Sequence, residues 1–226
     1  MRGYSRDHER IRSISNSYLA LADFRTTVQL DSSHSKAWAA LGRILGDNGA
    51  LDSAIICYNK AVRLDSSLAL GYYGRGLTYM SMKMLDSAMA DCERSLALDP
   101  DYGKSFDLRG CIKYRLGDYV GSARDIYRCI AMDGDSASAV SYCNLGAAEH
   151  MLGLLDIEMD AYHKSIAIDS TYPDPYYNLA RVLDRDRENT KAAAPLYEKY
   201  LIYAKDTDST AIAFVRARLD SISRGL

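Results

Sequence analysis

The feature that most constrains the fold of this chain is a sequence pattern that recurs every 34 residues. Two residue types mark the period, a glycine and an aspartate. They stand at Gly42, Gly76 and Gly110, and at Asp31, Asp65, Asp99 and Asp133. Apolar residues around these marks follow helical spacing. A fixed period of this length predicts short helical units that bury their apolar faces against their neighbours in a row.

The clearest unit is 69–102, which reads as two short helices joined by a turn. Tyr72, Gly76 and Tyr79 lie at helical spacing on its first helix. Asp99 and Pro100 end the second helix, because a proline ring cannot continue a helix and restricts the residue before it. A 34-residue helix–turn–helix unit with these aromatic, glycine and alanine positions resembles the tetratricopeptide repeat. The resemblance covers nearly the whole chain and implies an all-α, right-handed α-solenoid.

Counting in frames of 34 predicts about six repeats and a C-terminal capping helix. The repeats are 1–34, 35–68, 69–102, 103–136, 139–172 and 173–207, and the capping helix is 208–226. The frame slips by two residues after Asp133 and by one residue in the polar turn 184–191. Repeat 1 has a degenerate first helix, with His8 in the glycine position. In the last segment Ile212, Val215 and Leu219 form one apolar stripe, as expected for a helix that covers an open end.

Charge and hydropathy exclude several classes of partner. Lys and Arg number 28 against 30 Asp and Glu, a net charge of −2, which disfavours nucleic acid and anionic lipid. No apolar run approaches the roughly 20 residues that span a bilayer. The charged N-terminal stretch 1–13 lacks the apolar core of a signal peptide. We therefore predict a cytoplasmic protein, with a periplasmic one as the alternative if a leader has been trimmed.

The sequence contains no motif typical of an enzyme, a metal site or a cofactor site. A phosphate-binding glycine loop, an HExxH pair and a nucleophile elbow are all missing. Glu149 and His150 are predicted to be solvated, and Glu158 stands where a small residue is usual. That glutamate predicts either a wider gap between helices or a carboxylate that reaches to solvent. We therefore expect no enzyme activity, no cofactor and no metal.

The five cysteines and two Arg–Asp pairs carry predictions about the core. The cysteines (57, 92, 111, 129 and 143) form no CxxC pair, so we expect reduced and mostly buried thiols. Arg75 and Arg109 replace a leucine found in other repeats, and Asp91 and Asp125 follow them sixteen residues later. Because a buried arginine needs a partner, we predict the ion pairs Arg75–Asp91 and Arg109–Asp125.

The predicted binding residues lie on first helices, which line the concave face in tetratricopeptide solenoids. They are Tyr73, Leu77, Met80, Tyr114, Asn144, Tyr177, Asn178 and Arg181. Asn144 and Asn178 occupy one slot in consecutive repeats, which is similar to the asparagine ladder that holds a peptide backbone in the O-linked N-acetylglucosamine transferase. Two solvated asparagines are the alternative interpretation. The Lys and Asn slots that bind acidic chaperone tails hold no such pair here, so that activity is disfavoured.

The resulting prediction of function is a protein–protein interaction scaffold. It would bind an extended peptide or a partner helix in the concave groove, with no nucleic acid and no membrane span. One alternative is a non-catalytic regulatory or substrate-presenting module of a larger enzyme or complex. A second alternative is a structural module that associates with itself.

Overall fold

The computed structural model describes residues 19–185, 189–204 and 209–224, and every regular element in these ranges is helical. This confirms the predicted all-α class. The first helix of predicted repeat 1, with His8, and positions 186–188 of the polar turn lie outside the described residues. The chain divides into two compact units, Met1–Ile112 and Lys113–Leu226. No helix among the described residues has both the length and the apolar character needed to cross a bilayer.

The first unit is a series of helices that pack in pairs. Residues 19–30 are helical (α1). The elements that follow are α2 (Ser35–Asp47), α3 (Leu51–Leu64), α4 (Ala69–Ser81), α5 (Leu85–Leu98) and α6 (Gly103–Arg115), whose last turn belongs to the second unit. α2 packs against α3, α4 against α5, and α3 also contacts α4. Each connection is short, so consecutive helices lie side by side.

The second unit continues with the same arrangement. Its elements are α7 (Tyr119–Asp133), a 3₁₀ turn (Gly134–Ser136), α8 (Ala139–Leu152), α9 (Leu155–Ile168), α10 (Asp174–Leu183), α11 (Thr190–Tyr203) and α12 (Ser209–Ser223). α8 packs against α9, α10 against α11, and α12 lies on α11. The 3₁₀ turn falls where the repeat frame slips by two residues.

The recurring aspartate shapes the connection between helix pairs. Asp65 Oδ1 accepts hydrogen bonds from the backbone N–H of Ser67 at 2.9 Å and from its hydroxyl at 2.6 Å. These bonds lower the pKa of the Asp65 carboxyl below its ordinary value. The same turn forms after α1 and after α9, at positions 31 and 169. The aspartate therefore satisfies a backbone N–H of the connection, which takes part in neither flanking helix.

The recurring glycine makes room for a buried tyrosine ring. A Cβ atom added to Gly42 would lie 3.1 Å from three ring atoms of Tyr58, which is buried between α2 and α3. In the second unit, a Cβ atom on Gly146 would lie 2.6 Å from the ring of Tyr162. A side chain at Gly42 or Gly146 would push the tyrosine and its helix away.

One of the two predicted ion pairs lies within the first unit and is confirmed. Arg75 donates to both carboxylate oxygens of Asp91, each at 2.7 Å, and to the Asn59 amide oxygen at 2.7 Å. The other pair, Arg109–Asp125, would join the two units and stays a prediction. Within the second unit, Asp125 also binds the Lys113 ammonium group at 2.8 Å.

Candidate functional site

The predicted binding residues fall in both units. In the first unit, Tyr73, Leu77 and Met80 lie on α4. In the second unit, Tyr114 lies at the end of α6, Asn144 on α8, and Tyr177, Asn178 and Arg181 on α10.

Two of the three predicted binding residues on α4 are more buried than the sequence pattern indicates. The ring of Tyr73 meets that of Tyr102 edge-on, with centroids 5.2 Å apart, and burial raises the pKa of the Tyr73 hydroxyl. Met80 is half-buried, whereas Leu77 is 39% exposed. Packing against Tyr102 therefore accounts for the position of the Tyr73 ring without a bound partner. Leu77 is the most exposed of the three residues.

In the second unit, the two asparagines line the same cavity. Asn144, Asn178 and Tyr177 share a cavity of about 260 Å³ between α8 and α10. The Asn178 amide group donates to the Cys143 thiol at 3.7 Å. Burial raises the pKa of that thiol to about 12, so it is neutral and unreactive at ordinary pH. We call the group Asn144, Tyr177, Asn178 and Arg181 the asparagine site.

Tyr177 is held by its own chain more closely than the sequence predicts. The Arg181 guanidinium lies 5.6 Å above the centre of the Tyr177 ring. The centroid of the same ring is 5.1 Å from that of Tyr200 on α11 and 6.4 Å from that of Phe214 on α12. Sequence reasoning missed Tyr200 and Phe214 as neighbours of the site, because they come from helices that follow later in the chain.

A second, smaller cavity is lined by three of the predicted binding residues. Tyr114, Asn178 and Arg181 line it together with His150, Glu158, Tyr162 and Ala147. Asn178 therefore contributes to the walls of two cavities, and Arg181 lies at the second of them. Five of the eight predicted residues come together in this part of the second unit.

The prediction that Glu149 and His150 are solvated is wrong. Glu149 is 1% exposed, and its Oε1 accepts a hydrogen bond from the Tyr127 hydroxyl at 2.5 Å. Burial raises the pKa of its carboxyl above the ordinary value. His150 is half-buried and turns instead toward α9. Adjacent residues on a helix point about 100° apart, so this pair contacts two different neighbouring helices.

Glu158 does not reach to solvent, which corrects that prediction; the alternative, a wider gap between helices, stays a prediction, and Glu158 lines the smaller cavity. Its side chain is 2% exposed, and its Oε1 lies 2.5 Å from Nδ1 of His150. Arg185 approaches the other ring nitrogen, with its Nη2 2.6 Å from Nε2 of His150. Because arginine only donates, Nε2 accepts that bond and Nδ1–H donates to the carboxylate. In the sequence, this cluster of Glu158, His150 and Arg185 was indicated only by the glutamate at a position where other repeats have a small residue.

The described residues contain no group of three or more His, Cys, Asp or Glu side chains placed to hold a metal ion.

Comparison with family models gives matches in the first half of the chain. A model described as "Tetratricopeptide repeat" matches residues 69–102, and one described as "TPR repeat" matches residues 42–83. A search of curated proteins finds no match to the sequence.

Solved structures with the same fold cover most of the chain. The structure of the APC/C hetero-tetramer Cut9-Hcn1 matches with a TM-score of 0.82 and 18% identity. The match covers 91% of this chain and 40% of that chain, so this chain spans well under half of its length. YrrB, described as a TPR protein with an unusual peptide-binding site, matches with a TM-score of 0.59 and 20% identity over 86% of this chain and 97% of its own.

A third structure, TTC0263, is a thermophilic TPR protein of Thermus thermophilus. It matches with a TM-score of 0.64 and 17% identity over 79% of this chain and 96% of its own. At these identities the likeness concerns the fold, which is that of a helical-repeat protein.

Proposed function

Because this chain is a tetratricopeptide-repeat protein, we propose that it is an interaction scaffold that binds an extended peptide at the asparagine site. Tetratricopeptide repeats are in general protein-interaction modules. The observation that carries the proposal is the placement of Asn144 and Asn178 in the wall of one cavity, beside Tyr177. YrrB shows that a protein of this fold can have a peptide-binding site.

The chemistry of the two amides suits a peptide main chain. A carboxamide donates and accepts at once, so it can pair with the C=O and N–H of a residue whatever that residue's side chain is. Successive peptide residues in an extended chain are about 3.3 Å apart, so neighbouring helices can present amides to different residues of one strand. Arg181 adds a cation at the edge of the site, which favours an acidic residue in the peptide.

The proposal is tested by measuring peptide affinity in a double variant. Peptides selected from a random display library on the purified chain are labelled, and their binding is followed by fluorescence anisotropy. Replacing Asn144 and Asn178 with Ala removes two pairs of hydrogen bonds, so we expect affinity to fall roughly 10- to 100-fold. The change at Asn178 should cost little stability, because its bond to Cys143 is a long one to sulfur, and a melting curve checks that the double variant is folded.

Asn48→Ala is the matched control, because Asn48 is an exposed asparagine after α2 in the first unit. It should leave affinity unchanged. Peptides methylated on backbone nitrogens should bind weakly to the unaltered protein. Methylation removes the peptide N–H donors that the side-chain oxygens of Asn144 and Asn178 would accept. Equal affinity of the double variant and the unaltered protein would show that the peptide binds elsewhere.

A further inference from the structure

A separate cavity lies at one end of the helices α8, α9 and α10, where the chain leaves α10. Its volume is about 530 Å³, within the range of cavities that hold small organic ligands. One wall is apolar and consists of Leu155, Met159, Val182 and Leu183. Leu155 is half exposed, although it begins a helix whose other face is packed. The cavity therefore offers apolar contact to a ligand body of a few carbon atoms.

The polar part of the cavity lining includes the cluster Glu158–His150–Arg185. The buried Glu158 carboxylate accepts a hydrogen bond from Nδ1 of His150, and Nε2 of His150 accepts one from Nη2 of Arg185 at 2.6 Å. Among the described residues the hydrogen bonds of Arg185 all run from Nη2 to His150, so Nε and Nη1 are bonded to no other described residue. A guanidinium fixed at one corner loses less conformational freedom on binding than a free one does.

We propose that this cavity binds a small aliphatic carboxylate. Arg185 presents two donors to the two carboxylate oxygens, and the apolar wall takes the carbon chain. A phosphate group fits less well, because its larger negative charge would lie close to the Glu158 carboxylate that contacts His150. The proposal goes beyond peptide binding at the asparagine site, since the ligand contacts a different cavity.

Two sources could supply this chemistry, a free small acid or the end of a peptide chain. The probes that separate them are 4-methylpentanoate and N-acetyl-leucine, which share the branched carbon chain and the carboxylate. N-acetyl-leucine adds the amide group that a peptide terminus would carry. The matching primary amides, 4-methylpentanamide and N-acetyl-leucinamide, serve as controls because they lack the negative charge.

Binding is measured by carbon–proton NMR of the Met159 methyl group and the His150 ring in the full chain. With 4-methylpentanoate added to about 50 mM, which detects millimolar dissociation constants, both signals should shift and saturate. The amides should cause no saturable shift. Arg185→Gln should weaken binding at least about tenfold, because it removes a charged hydrogen-bond donor. Arg216→Gln, at an exposed arginine on α12, should leave binding unchanged.

Each outcome decides the proposal. Saturation by both acids means that the cavity accepts the end of a chain, and saturation by 4-methylpentanoate alone means that it accepts a free acid. Arg185 is exposed, so Arg185→Gln should fold, and an unaltered methyl spectrum without ligand checks this. The proposal is overturned if neither acid gives saturable shifts, or if Arg185→Gln binds as tightly as the unaltered protein.

Discussion

Individual polar residues inside the helix pairs decide how each predicted repeat differs from the others. Arg75 and Asp91 take slots that hold Leu41 and Cys57 in the preceding predicted repeat. The arginine satisfies both carboxylate oxygens, and its remaining amino group binds Asn59. The pair is well shielded, with side-chain exposures of 18% for Arg75 and 9% for Asp91. A charge left alone in this position would be costly.

We predict that Arg75→Leu destabilises the protein and that the added change Asp91→Cys restores it. The single variant leaves a buried carboxylate without its cation, which should lower the free energy of unfolding by about 2–3 kcal/mol. The double variant recreates the Leu41–Cys57 pair of the preceding repeat and should come within about 1 kcal/mol of the unaltered protein. Urea unfolding followed by circular dichroism measures both. A single variant as stable as the double one would mean that the carboxylate finds another partner.

At the scale of the element, α12 shows how a helix is held on its neighbours by two kinds of contact. Val215 is fully buried against Tyr176, Tyr197 and Tyr200, and Ile212 and three further apolar residues of α12 pack against the same cluster. At the edge of this apolar contact, Arg218 donates to both oxygens of Asp184 at 2.8 and 2.9 Å. The Tyr197 hydroxyl donates to the same carboxylate at 3.2 Å. Asp184, at the end of α10, thus joins that helix to α11 and α12.

Arg218→Ala should loosen α12 while leaving the rest of the second unit intact. The lost ion pair is partly exposed, so we expect a cost of roughly 1 kcal/mol for opening of the helix. Amide hydrogen exchange in α12 should accelerate about fivefold, and exchange in α8 and α9 should not change. Arg216→Ala, two residues earlier and exposed, is the matched control. Equal exchange in both variants would contradict a role for the Asp184 contact.

At the scale of the whole molecule, the cysteines report on the packing of both units. Cys57 and Cys92 are buried in the first unit, Cys129 and Cys143 are buried in the second, and Cys111 is half-buried. All five are free thiols, as the sequence predicts. Burial raises the pKa of the Cys57 thiol and of the Cys143 thiol, which keeps both in the unreactive protonated form.

We predict that a thiol reagent finds about one fast group in the native protein and five in denaturant without reductant. Cys111 should be the fast one, because the other four are buried, and Cys111→Ser should remove the fast phase. Absorbance after addition of the aromatic disulfide reagent DTNB gives both counts. Fewer than five groups in denaturant would reveal a disulfide, and several fast groups in the native protein would show that the units open readily.

The sequence by itself predicted the pairing of helices and some of the contacts inside a pair. Because the sequence repeats every 34 residues, equivalent positions can be compared between repeats. Two unusual residues in the same repeat, such as an arginine and an aspartate, are then predicted to contact each other. Arg75 and Asp91 were predicted in this way, and the glycine beside the buried Tyr58 was inferred from its recurrence. The physical reason is that contacts inside a helix pair depend on helical spacing and one short turn, and both are encoded locally.

Only the tertiary structure decided the contacts between neighbouring pairs. Arg185 meets His150, Arg218 meets Asp184, and Tyr177 packs against Phe214. Such contacts depend on the distance and angle at which two helices pack, which all their side chains set together. The burial of Glu149 against Tyr127 of α7 arises in the same way. The period therefore predicts where the helices lie, whereas the cavities and charges between pairs follow from how those helices pack.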